Sequence, residues 1–245
     1  MIATTDTTRV MDALPLVNQA LLDEWATLLR HPPNAAQWRS NMDEAVCRVL
    51  AEYETRIEAE DREMQSVEFA KAMARRDEFL LPIGPDTGRV LNILIKSAKA
   101  RSILELGTSY GYSTVWLAEA ARETGGRVAS LELADYKAKY AREALERAGL
   151  GDCVDIHVGS AVDLLPGLAG PYDFVLLDLW KELYVTCLDL VYPKLAPGAF
   201  VAADNMTYPE VSRADAEAYQ RRIRRLEFDS VLLPIGSGVE LSRRR

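Results

Sequence analysis

The pattern of apolar and polar positions changes character near residue 80. Before it, apolar side chains recur every three to four residues over 14–29, His31-Pro32-Pro33-Asn34 interrupts them, and the spacing resumes over 42–57. The sequence therefore predicts a helical extension. A third helix is expected over 66–79, ended by Leu81-Pro82-Ile83-Gly84-Pro85, with Asp86 placed to cap a helix running to Lys99. From residue 102 short apolar runs alternate with helical stretches. Strands are predicted at 102–106, 127–132, 154–158, 173–178 and 199–203, and helices at 112–124, 135–148 and 182–195, with a short turn near 161–167. That alternation specifies a doubly wound parallel sheet, because parallel neighbours need a crossover between them. After a helix at 213–226, strands at 230–235 and 239–242 are joined by Gly236-Ser237-Gly238, which reads as a hairpin. The expected fold is α/β: a mostly parallel, seven-stranded, Rossmann-like sheet over 81–245 with an antiparallel edge hairpin, preceded by the helical extension over 1–80.

Composition narrows the function classes. The 245 residues are 49% hydrophobic and 27% charged, enough to bury a sizeable core, and the formal net charge is −8. A nucleic-acid binder normally presents a basic face, so nucleic acid is not an expected partner; the terminal Arg243-Arg244-Arg245 reads as a solvated tail. Cys47, Cys153 and Cys187 are odd in number and far apart, which excludes a disulfide framework or zinc knuckle and fits a reducing, cytoplasmic setting. No apolar run reaches the roughly 18 residues of a membrane span, and residues 1–10 are too polar for a signal peptide.

The first strand-to-helix turn, Glu105-Leu106-Gly107-Thr108-Ser109-Tyr110-Gly111-Tyr112-Ser113, offers glycines for close backbone approach and a helix amino terminus for an anionic group. Three chemistries compete for it. A dinucleotide fingerprint lacks its second glycine, since Ser109 stands there. A hydrolase nucleophile elbow is satisfied literally by Gly107 to Gly111, but its histidine should come late in the chain, after the acid. The only candidate is His157, inside the third strand, where it reads as a strand-face residue; His31 reads as a loop residue. The third chemistry is a nucleoside-sulfonium site. Glu132 ends the second strand 25 residues after Gly107, where it can accept both ribose hydroxyls of either NAD or S-adenosylmethionine. The spacing Glu105-x-Gly107-x-x-x-Gly111 favours S-adenosylmethionine, with Ser109, Tyr110 and Ser113 lining the turn.

The fourth and fifth strands end in carboxylates. Asp178 closes one, Asp204-Asn205 the other, so three oxygen donors meet at one sheet edge. Without histidine or thiolate, such a set suits a hard cation such as Mg²⁺, although strand-end Asp and Asp-Asn turns also occur for purely structural reasons. Lys181 is placed to act as proton acceptor beside that site or as an exposed lysine at a helix start, while Trp180 and Tyr184 are placed to wall a flat substrate or to fill the core.

Residues 104–107 with Gly111-Tyr112-Ser113, the run Leu177-Asp178-Leu179-Trp180-Lys181-Glu182-Leu183-Tyr184, and Ala203-Asp204-Asn205 resemble the cation-dependent class I O-methyltransferases, the group of catechol and caffeoyl-CoA O-methyltransferases. The resemblance covers about residues 80–242. It implies Asp178, Asp204 and Asn205 as Mg²⁺ ligands, Lys181 as general base, Trp180 and Pro209 as walls for an aromatic ring, and Glu132 on the ribose. Asp178, Ser160 and Ala161 join the cofactor set. Three departures are visible, one being that the later carboxylate that touches the second hydroxyl in catechol O-methyltransferase has no clear match here. Leu179 replaces a histidine of catechol O-methyltransferase, and Ala161-Val162 replaces polar residues near the adenine, leaving Ser160 and Asp163 for side-chain contacts. The expected activity is S-adenosylmethionine-dependent methylation of a catechol-like phenolic small molecule. A metal-independent small-molecule methyltransferase and an NAD-type nucleotide-binding protein are the alternatives. In bacterial relatives the helical extension forms part of the substrate entrance and a dimer contact, so a homodimer is expected.

Overall fold

The computed structural model describes residues 42–66 and 75–245. The helix expected over 14–29, the break at His31 and most of the helix expected over 66–79 lie outside those residues. The first described helix, α1 (Glu44–Ser66), outruns the 42–57 of the sequence pattern. Charged pairs at helical spacing, such as Arg56 to Glu60 at 2.6 Å, support it where the apolar stripe has ended. Past it, residues 76–78 are not α-helical as expected but form a single 3₁₀ turn, Arg76–Glu78. The segment is tied sideways to α1 instead: Arg75 pairs with Glu63 at 2.7 Å, and the Leu80 amide donates to Glu60 Oε2 at 2.7 Å. Helix α2 (Pro85–Ala98) starts one residue before the expected Asp86 cap. Pro85 takes the first helical position, where its fixed φ and missing N–H are harmless, and Asp86 bonds Arg89 from within the first turn.

The strands follow the apolar runs. β1 (Ser102–Leu106), β2 (Arg127–Glu132) and β3 (Val154–Val158) have the predicted bounds. β4 (Tyr172–Leu177) stops one residue early, so Asp178 is the first residue beyond it. β5 (Leu195–Ala203) starts four residues before the expected 199, since its ladder with β4 carries an irregularity that absorbs Pro197-Gly198. At the edge, β6 (Phe228–Leu233) and β7 (Val239–Arg244) are joined by Pro234 to Gly238. β6 ends before Pro234 because proline has no N–H for the ladder.

Between the strands run α3 (Tyr112–Thr124), α4 (Asp135–Arg147), the short α5 (Ala161–Leu164), α6 (Tyr184–Val191) and α7 (Arg213–Ile223). The strand order is β3-β2-β1-β4-β5-β7-β6, parallel from β3 to β5 and antiparallel through β7 and β6. β1 and β4 are buried on both faces, which is why they read as continuous apolar runs. Connection order reverses between them, and the crevice at the carboxyl ends of such strands is where doubly wound sheets bind ligands. The register pairs Leu106 with Leu177 and Leu177 with Ala203, setting Gly107, Asp178 and Asp204 side by side along that edge.

Candidate active site

The turn after β1 is shaped by two left-handed glycines and a strained serine. Gly107 has φ 103°, and a Cβ there would stand 2.0 Å from the Asp178 carbonyl oxygen, so only glycine lets the turn lie on the end of β4. Gly111, at φ 95°, opens α3. Ser109 adopts φ 46°, unusual without glycine, and its amide donates to Glu132 Oε2 at 2.7 Å. Glu132 takes a second amide, from Ala134, on Oε1 at 2.8 Å. The carboxylate at the end of β2 is thus fixed in direction while each oxygen keeps acceptor capacity.

Beneath the turn Glu105 is completely buried. Ser113 donates to one of its oxygens at 2.6 Å, and Thr114 and Ser130 donate to the other. Burial raises the carboxyl pKa to about 7 against the pull of those three hydroxyls. Its side chain therefore binds the turn and α3 to β2 from behind. Tyr110 is held from the side of the segment before α2: its hydroxyl donates to Asp77 O at 3.1 Å, and its ring lies under Arg56 at 4.4 Å. Leu80, Leu81, Pro82 and Ile83 cross over the turn and, with Ser109, Tyr110, Ser113 and Asp178, line a narrow cleft. On the far side of Glu132, Ser160 and Ala161 are half-buried at the start of α5, and Asp163 is exposed.

One strand over lies the acidic pair. Asp204 is 1% exposed, and neither carboxylate oxygen has a hydrogen-bond partner. Burial, then the neighbouring Asp178 charge, raises its pKa, with the Asn205 backbone and Lys181 pulling the other way. Asp178 is raised as well, by burial against the opposing Lys181 charge. An ionised carboxylate buried without a partner costs on the order of several kcal/mol, so this pair demands a proton or a cation. Asn205 follows in the left-handed region at φ 52°, which asparagine tolerates, and its Oδ1 accepts from Lys181 Nζ at 3.3 Å. Two carboxylates and an amide oxygen thus meet without histidine or cysteine; among the described residues no group of three His, Cys, Asp or Glu side chains gathers anywhere. The donor set fits a hard divalent cation.

Lys181 is 7% exposed, and burial lowers its pKa against the attraction of Asp178, Asp204 and Glu182. Its Nζ donates to Tyr184 Oη at 2.6 Å. Tyr184 is fully buried, so it fills the core and cannot wall a substrate. Trp180, 41% exposed, and half-buried Pro209 stand in the loops that follow β4 and β5.

A family model described as a methyltransferase domain matches residues 104–206, from β1 through the Asp204-Asn205 turn. A catechol O-methyltransferase of Mycobacterium tuberculosis is 38% identical over 163 residues, covering 63% of this chain and 74% of the relative. The chain belongs to the class I S-adenosylmethionine-dependent O-methyltransferases. A caffeoyl-CoA O-methyltransferase of Eucalyptus globulus is 27% identical over 206 residues, covering 75% of this chain and 83% of its own. An O-methyltransferase from Bacillus cereus, solved in complex with SAH, superposes with a TM-score of 0.66 at 25% identity, covering 83% of this chain and 91% of that one.

In this methyltransferase the sheet edge brings together Gly107, Ser109, Glu132, Asp178, Lys181, Asp204 and Asn205, Tyr110 lines the cleft over the turn, and the Glu105 side chain is turned into the core. Sequence reasoning missed Ser130, Thr114 and the anchoring role of Tyr184. Ser130 had a signal, since a lone hydroxyl in a buried strand needs a partner. Thr114 and Tyr184 had none: which helix face meets Glu105 or Lys181 is decided only by packing.

Proposed function

We propose that this methyltransferase acts on a catechol-like phenol, a small molecule with vicinal hydroxyls, with Asp178, Asp204 and Asn205 holding Mg²⁺ or a similar divalent cation. The observation that carries the reading is the buried Asp204 carboxylate with two unpartnered oxygens beside a second carboxylate. A cation bound there would lower the pKa of a coordinated hydroxyl and favour acceptors that offer two adjacent oxygens.

The chain's own residues do the rest. The Gly107–Gly111 turn and Glu132 hold S-adenosylmethionine with its methyl group toward the acceptor, and the segment from Leu80 to Ile83 keeps water from the sulfonium. A phenol ordinarily titrates near 10, so at neutral pH a base is needed, and Lys181 accepts the hydroxyl proton. The phenolate oxygen then forms its bond to the methyl carbon as the sulfur–carbon bond breaks in line, leaving S-adenosylhomocysteine. Both groups must be held collinear and dry, so positioning supplies most of the acceleration. Trp180 and Pro209 flank the aromatic ring, and the helical extension completes the acceptor entrance and a homodimer contact.

The test is a methyl-transfer assay over catechols and matched monophenols, with Mg²⁺ or EDTA. Methylation of catechols alone, abolished by EDTA while S-adenosylhomocysteine still binds, is expected. Full turnover in EDTA would instead make this a metal-independent methyltransferase.

A further inference from the structure

Tyr184 stands one turn beyond Lys181, at the start of α6, with its ring packed edge-on against Tyr219 at a centroid distance of 5.6 Å. Its hydroxyl is a junction. It accepts a hydrogen bond from Lys181 Nζ at 2.6 Å and has one proton of its own to give, toward Leu177 O at 2.9 Å or Asp204 O at 3.2 Å. Those carbonyls belong to the last residue of β4 and the first residue past β5. The atom that meets the amine is therefore anchored on the same two strand ends that aim Asp178 and Asp204.

Satisfying buried carbonyls does not explain this hydroxyl by itself. Leu177 O already accepts the Asp204 amide at 3.0 Å, so its need is met without Tyr184. Lys181, by contrast, has a flexible four-carbon stem, and its other close polar partner is Asn205 Oδ1 at 3.3 Å. Asn205 is also a candidate cation ligand and cannot serve as a dedicated tether. The face of the Tyr184 ring, 4.0 Å from Nζ, supports the amine without fixing its direction.

We propose that Tyr184 is a positioning residue: its buried hydroxyl, bridged to the ends of β4 and β5, fixes Lys181 Nζ at the point from which it takes the acceptor's proton. The inference rests on Lys181 being the base. It adds a residue that touches no substrate yet sets the geometry of the proton transfer.

Tyr184→Phe tests it, because the phenyl ring keeps the packing on Tyr219 and deletes one oxygen. Turnover, both KM values, S-adenosylhomocysteine affinity and melting temperature are measured for Tyr184→Phe, Lys181→Ala and the double variant. Misplacing the amine without unfolding the site should lower kcat about 10- to 100-fold, with both KM values, the product affinity and the melting temperature nearly unchanged. In the Lys181→Ala background Tyr184→Phe should cost nothing further, since a tether has no effect once its lysine is gone. A normal kcat for Tyr184→Phe beside a slow Lys181→Ala overturns the positioning role alone. The same fold-loss in both backgrounds, or KM rising and product affinity falling as kcat drops, shows a structural role and overturns it too. Wild-type turnover in Lys181→Ala removes the base assignment itself and the inference with it.

Discussion

At Asp204 two carboxylate oxygens are buried and left for something other than the protein to satisfy. Asp204→Asn keeps the volume and removes the charge. Cation-dependent transfer should fall by about 100-fold or more, because a misassembled site loses charge stabilisation and orientation together, and calorimetry should show Mg²⁺ binding lost while S-adenosylhomocysteine binding persists. Lys181→Ala should lower kcat on the order of 10²- to 10⁴-fold, the range of general-base catalysis, with a smaller change in acceptor KM; a normal kcat in steady-state assays would remove its role. Asp178 and Asp204 were legible as strand-end residues because each follows directly on an apolar run, while the roles proposed for them and for Lys181 came from the resemblance. Tyr184 was not legible in its role. It lies three residues past Lys181 in an aromatic-rich stretch, and only the packing of α6 on Tyr219 shows that its hydroxyl turns inward to Lys181.

Among the elements, α1 and the segment after it are bound to the turn after β1, the proposed cofactor seat, by a cluster that periodicity could not show. Tyr53 donates to Tyr110 O at 2.5 Å, Arg56 lies over the Tyr110 and Tyr140 rings at 4.4 and 5.4 Å, and Tyr110 and Tyr136 both reach Asp77 O. Removing a cation from over a ring costs roughly 0.5–2 kcal/mol. Arg56→Ala should therefore raise the KM for S-adenosylmethionine several-fold through faster release, with kcat for bound substrates preserved; stopped-flow release of the cofactor reads this directly, and an unchanged release rate would separate α1 from the site. The five parallel strands were predictable to within a few residues because buried strands declare themselves as apolar runs. The turn at Arg76–Glu78 was not, because its hydrogen bonds go to side chains of a different element and leave no local period.

For the whole molecule, two buried acids and the half-buried Asp178 tie stability to pH. Glu105 is raised from 4.5 to about 7, and Asp178 and Asp204 are raised from 3.8 by burial. Between the ordinary values and the raised ones the folded chain holds more protons than the unfolded chain, so stability is greatest in mild acid and falls as pH rises through that window. The melting temperature of EDTA-treated protein should drop by several degrees from pH 5 to pH 8, and Mg²⁺ should restore most of it at the upper end. Asp204→Asn should flatten the profile in differential scanning fluorimetry; a metal-free protein most stable at pH 8 would contradict the burial of these carboxyls.

The absent side chain at Gly107 has a consequence for how such an enzyme can be diversified. The turn after β1 lies directly on the backbone of Asp178, so any larger residue at 107 would push apart the turn proposed to hold the methyl donor and the strand end proposed to hold the acceptor's cation. Laboratory evolution has no neutral path through that position. Trp180, 41% exposed just past β4, lies outside that constraint, and substitutions there should change the preference among the proposed phenolic acceptors without disturbing the Gly107 turn.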